Sequence, residues 1–236
     1  MAMRLAHPNS VSSMSAHNDL SLNMTKPFIL NGGEDAKCTI LLGHGAGAPM
    51  DSASMTAAAG ALAAHSFRVA RFEFDYMADR RRNGGRKPPP RAERLISEYA
   101  AAVDALGAKG PLIIGGKSMG GRVASMVADE LLPSGQIVGL LCLGYPFHPP
   151  AKPGQLRTEH LVELKTPTLI VQGTRDEFGT REEVAGYTLS EAIEIFWLDD
   201  GDHDLKPRKS MSGFTVADHL KTMAEKVSTW ADRLVR

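Results

Sequence analysis

Ser118 stands in the run Gly115-Gly116-Lys117-Ser118-Met119-Gly120-Gly121, a G-x-S-x-G pattern directly after the apolar segment Leu112 to Ile114. A serine hydroxyl is a poor nucleophile near neutral pH, so it needs an imidazole to take its proton and a carboxylate to fix that imidazole's tautomer. A serine held on a sharp strand-to-helix turn also takes a strained backbone, and the residues two before and two after it must be small for strand and helix to approach. Gly116 and Gly120 meet that demand, and Gly121 adds clearance. A helix starting at Met119 would aim the Met119 amide at an oxyanion formed beside Ser118.

Gly116-Lys117-Ser118 is also the end of the phosphate-binding pattern G-x-x-x-x-G-K-[ST], whose first glycine would fall at residue 111. Pro111 stands there, and the residues before Gly116 read as strand, leaving no loop to wrap a phosphate. A nucleotide is therefore not expected.

Four histidines follow Ser118: His148, His160, His203 and His219. His203 lies in the turn-forming cluster Asp199-Asp200-Gly201-Asp202-His203-Asp204 just after the apolar run Ile193 to Leu198, whereas His160 and His219 fall in helical patterns. His203 is the expected base. The expected acid is Asp176, in the loop Gln172-Gly173-Thr174-Arg175-Asp176-Glu177 after Thr168 to Val171, with Glu177 the neighbour most able to replace it and helix capping the bland alternative. A second oxyanion donor is expected from the small residues of Gly43-His44-Gly45-Ala46-Gly47-Ala48: the amide of Ala46, or of Gly45. His44 reads as structural.

These residues can meet only if the elements carrying them share one rim. Short apolar runs at Thr39 to Leu42, Phe67 to Phe74, Leu112 to Ile114, Ile137 to Leu143, Thr168 to Val171 and Ile193 to Leu198 read as strands. Amphipathic segments near Ser52 to His65, Ala92 to Leu106, Met119 to Leu132, Glu159 to Leu164, Glu182 to Tyr187 and Val216 to Leu234 read as helices. Such alternation predicts an α/β fold: a mostly parallel sheet of about six to seven strands with helices on both faces. Ligands of open sheets sit at the carboxyl ends of the strands, where Ser118, Asp176, His203 and the Gly43 loop all fall. The Arg80 to Arg91 stretch, rich in arginine, glycine and proline, reads as a surface excursion.

The 236 residues suffice for one substantial core, and the equal numbers of basic and acidic residues, 27 each, give no electrostatic case for nucleic acid or an anionic membrane. Residues 1–20, polar and serine-rich, read as a flexible leader, and 21–236 as a single domain. The two cysteines, Cys38 and Cys142, lie in or beside strand patterns and read as reduced thiols. With no secretory signal and no apolar run long enough to span a bilayer, a cytoplasmic protein is expected, and two cysteines exclude a structural zinc site made of four, so no metal is expected.

The segments Gly43 to Asp51 and Arg71 to Met77, the Ser118 turn and the loops bearing Asp176 and His203 together resemble the α/β-hydrolase superfamily. The resemblance is to dienelactone-hydrolase-related proteins, and especially to a branch of hydrolase-like domains of testis-expressed and chromatin-complex subunits. It covers the chain from about Thr39 onward and implies hydrolysis of an ester, thioester, lactone or amide without a cofactor. The superfamily's chain order of serine, acid, histidine is matched by Ser118, Asp176 and His203. Dienelactone hydrolases use cysteine where this chain has Ser118, and the N-terminal strands of larger members are hard to find before Thr39.

The short, stiff Tyr145 to Pro150 segment predicts a minimal lid and an open pocket for small soluble acyl substrates, with Tyr76, Arg81 and His148 as candidate pocket residues. One of Arg80 to Arg82, just after a strand end, is a candidate contact for a substrate carboxylate or phosphate, the favoured alternative being a solvated surface loop. The expected function is serine-dependent acyl hydrolysis through an acyl-enzyme; the alternative is a non-catalytic interaction module on the same scaffold.

Overall fold

The computed structural model describes residues 28–85 and 88–235. The expected leader lies outside them. In chain order the elements are β1 (Ile29–Asn31), β2 (Cys38–Gly43), α1 (Ala53–Ala63), β3 (Phe67–Phe72), α2 (Asp75–Asn83), α3 (Ile96–Leu106), β4 (Leu112–Lys117), α4 (Met119–Leu131), β5 (Gly139–Leu143), β6 (Thr168–Gly173), α5 (Arg181–Val184), β7 (Ile193–Leu198), α6 (Lys209–Ser212) and α7 (Val216–Ala231).

Seven strands form one sheet in the order β1-β3-β2-β4-β5-β6-β7; β1 runs antiparallel to β3 and every other pairing is parallel. The unbroken apolar character of β2, β4, β5 and β6 follows from burial on both faces. One core layer packs α3 and α4 against the sheet through Tyr99, Val103, Val123 and Val127; the opposite layer packs α1 and α7 through Met55, Leu62, Met223 and Trp230. The strand order puts β4, which leads into Ser118, at the centre of the sheet, and the two layers cover it on both faces.

Three sequence readings are corrected. The strand expected to Phe74 ends at Phe72, and the stretch through Arg80 to Arg82 is not loop but α2, which starts at Asp75 and ends on Gly84 with φ 65°. The helix expected over Glu159 to Leu164 is one tight turn, Glu159–Leu161. The Asp129 carboxylate of α4 then accepts from the Lys165 and Thr166 amides and holds the chain entering β6. The edge strand β1 was not anticipated. Among the described residues no helix is long and apolar enough to cross a membrane.

Candidate active site

Ser118 occupies the one-residue junction between β4 and α4 with φ 51° and ψ −115°, a conformation that costs a non-glycine residue about 1–3 kcal/mol. Neighbouring contacts enforce it. A Cβ on Gly116 would come within 2.4 Å of the Gly43 carbonyl oxygen, and one on Gly120 within 2.2 Å of the same atom. Absent side chains at both positions let β4, α4 and the end of β2 converge, as the spacing required.

The Ser118 amide donates to the Leu143 carbonyl at 3.1 Å, so the turn is tied to β5 as well. Lys117, the residue before it, is buried, and its Nζ donates to the His203 carbonyl at 2.6 Å with Asp204 3.6 Å away. Burial holds the Lys117 ammonium below the usual lysine range, while the carboxylates of Asp204 and Asp176 act the other way.

Ser118, His203 and Asp176 meet in one hydrogen-bonded line. His203 Nε2 lies 2.8 Å from Ser118 Oγ, and His203 Nδ1 lies 2.8 Å and 3.0 Å from the two Asp176 carboxylate oxygens. An ionised carboxylate only accepts, so Nδ1 carries the proton and Nε2 is left to accept from the serine hydroxyl. The Phe178 ring stacks on the imidazole with centroids 4.0 Å apart.

The acid and histidine loops are pressed together where a Cβ on Gly173 would meet the Gly201 carbonyl at 2.2 Å. Asp176 is fully buried and also accepts from the Phe178 amide and from Gln172 Nε2, both at 2.9 Å. Gln172 was not singled out from the sequence, although a glutamine ending a buried strand must find partners for its whole amide. Its Oε1 accepts from the Tyr145 amide at 2.7 Å. Glu177, the alternative acid, is exposed.

Met119 is the first residue of α4, and Ala46 lies in the loop after β2; both line a cavity of about 710 Å³ together with Ser118 and His203. That loop is braced from below by His44. Its Nε2 accepts from the Phe74 amide at 3.1 Å, so Nδ1 carries the proton and donates to the Gly45 carbonyl at 2.7 Å.

Of the candidate pocket residues, none lines this cavity. Tyr76 donates its hydroxyl to the Ala46 carbonyl at 3.0 Å, and so supports the loop from behind. Arg81 is held by both oxygens of Asp51, at 2.8 Å and 2.9 Å, and by Glu73. His148 is buried, not solvated, with Nδ1 2.9 Å from the Pro149 carbonyl. The other two histidines after Ser118 are engaged elsewhere, His160 with Ser125 and His219 with the Leu205 carbonyl. Among the described residues no group of three or more His, Cys, Asp or Glu side chains could hold a metal ion.

Comparison with known proteins agrees with this architecture. Residues 36–232 match the family described as alpha/beta hydrolase domain. The fold is similar to a dienelactone hydrolase from Anabaena variabilis, with a TM-score of 0.64 and 19% identity over 89% of this chain and 92% of that one. It is similar too to a serine hydrolase without a lid from Xanthomonas campestris, with a TM-score of 0.62 and 18% identity over 87% and 88% of the two chains. A third likeness is to the esterase domain of a Rhodothermus marinus protein, with a TM-score of 0.60 and 18% identity over 88% and 92%. With a family match spanning most of its length and a sheet of the same build, the chain belongs to the α/β-hydrolase domain family.

Proposed function

We propose that this protein is a serine hydrolase that cleaves a small soluble ester or thioester through an acyl-enzyme. Ser118 attacks the carbonyl carbon while His203 takes the hydroxyl proton; Asp176 holds the imidazole in the required tautomer and stabilises its cation. The amides of Met119 and Ala46 receive the negative charge that builds on the carbonyl oxygen. His203 then returns the proton to the leaving group, and a water activated by the same imidazole releases the acyl group. Residues 21–236 act as one domain in this reading.

The observation that carries the proposal is the line Ser118–His203–Asp176, with both links within 3.0 Å and the serine held in a strained turn. A scaffold kept only for binding would have no need of either feature. The likeness of Gly43 to Asp51 and Arg71 to Met77 to hydrolase-like domains of testis-expressed and chromatin-complex subunits belongs to the same proposal, as does a cytoplasmic location, which two buried free thiols support.

A fluorophosphonate reagent tests the reading directly. Labelling of the parent at Ser118, abolished in Ser118→Ala, is the expected outcome, accompanied by turnover of short-chain aryl esters. No adduct dependent on Ser118 would replace the hydrolase by an interaction module.

A further inference from the structure

The cavity beside Ser118 carries four cationic side chains on its wall, Arg91, Lys117, Arg122 and Arg157, against two acidic ones, Glu93 and Asp204. Lys117 faces Asp204, and Arg122 pairs with Glu93 at 2.7 Å. Arg91 is exposed, so water solvates its charge. Arg157 is only partly exposed, and among the described residues its guanidinium has neither a hydrogen-bond nor an ion-pair partner.

Burial first, and then the positive charge of Arg122, hold Arg157 below the usual guanidinium range, with Tyr145 and Glu93 opposing. Arg122 already has Glu93 as its counter-ion, which leaves Arg157 as the guanidinium that an incoming anion would relieve. Arg122 stands beside Arg157 with a terminal nitrogen on Glu93 and a buried Nε that has no hydrogen-bond partner among the described residues.

Both arginines are presented by rigid backbone. Arg122 lies four residues after Ser118, its amide donating to the Ser118 carbonyl at 3.0 Å, so its side chain rises on the helix face nearest the hydroxyl. The Arg157 amide donates to the Phe147 carbonyl at 2.8 Å, and its own carbonyl accepts from the Tyr145 hydroxyl at 3.0 Å.

We infer that Arg157, with Arg122 beside it, is the anion-binding end of the Ser118 cavity, and that the substrate is an acyl ester or thioester carrying a carboxylate away from the carbonyl under attack. One uncompensated guanidinium suits a singly charged carboxylate, which it can grip with two parallel donors. The inference rests on the hydrolase reading of Ser118 and deepens it by naming the substrate class.

The test compares the mono-para-nitrophenyl esters of succinic, glutaric and adipic acids with the neutral para-nitrophenyl esters of equal chain length, spontaneous hydrolysis being subtracted. At one chain length or more, kcat/KM for the carboxylated ester is expected to exceed that for its neutral partner by about tenfold or more, mostly through KM. Added salt should shrink the ratio. Arg157→Gln should bring it near unity, and Arg157→Lys should retain part of it. Neutral esters preferred at every length, or an unchanged ratio in Arg157→Gln, would overturn the anion-binding end while leaving Ser118-dependent turnover and labelling intact. Absence of both turnover and labelling would instead remove the hydrolase reading, and this inference with it.

Discussion

Asp176 accepts from three donors on three different segments: Gln172 at the end of β6, Phe178 in its own loop, and His203 after β7. A buried carboxylate so enclosed has one place to be, and the imidazole inherits that precision. His44 plays a comparable part under the Ala46 loop, and its chemistry has a pH signature. Burial holds it below its ordinary value of 6.5, against the Gly45 carbonyl, Glu73 and the Ala48 backbone, with Arg81 adding to the depression. In the folded state Nε2 must stay unprotonated to accept from Phe74. As pH falls below about 6.5 the unfolded chain takes a proton that the folded one refuses, so stability present above that pH is lost through the folded value. Thermal midpoints measured from about pH 8 to pH 5 are expected to fall, with a shallower slope in His44→Gln; an identical slope would mean that other groups, His160 among them, carry the effect. At this scale Ser118, His203 and Asp176 were legible because each follows an apolar run at a turn. Arg122 and Arg157 were not, since an arginine on a helix or in a loop reads as solvated until its neighbours are known.

The elements tell a different story of legibility. Parallel strands buried on both faces announce themselves as apolar runs: β2, β5, β6 and β7 lie within two residues of expectation at either end, and β4 runs three residues beyond it, through Gly115, Gly116 and Lys117. α2 escaped because its only buried residue is Met77, so no helical period of apolar side chains marks it. β1 escaped because three half-exposed residues carry too little pattern. Helix α4 approaches the sheet more closely than any side chain would permit, and this closeness is testable by a matched pair. Gly120→Ala drives a methyl into the Gly43 backbone and is expected to destabilise the fold by about 1–3 kcal/mol or more. Gly60→Ala, at an exposed position of α1 with nothing within 4 Å, should stabilise it by about 0.5–1 kcal/mol. Urea denaturation of both variants checks the contrast; equal effects would mean the α4 contact yields freely.

Across the whole molecule, the double-wound sheet gathers Ser118 and His203, 85 residues apart in the chain, at one rim, and hydrogen bonds fasten the Ser118, Asp176 and His203 loops to one another. Their assembly is therefore a property of the complete sheet, not of any one motif. The four small residues at and around the β2 and β4 ends, Gly43, Gly116, Gly120 and Gly121, are what allow it.

The positive φ of Ser118 carries a further consequence for durability. Alanine normally outlasts glycine in a loop, because glycine gives up more freedom on folding. At position 118 the order should reverse: Ser118→Gly relaxes the turn, Ser118→Ala keeps its tension, and both lose the hydroxyl equally. A higher melting temperature for the glycine variant would show that the resting protein sacrifices robustness to hold its hydroxyl aloft, and a lineage freed from selection for turnover would drift toward glycine there.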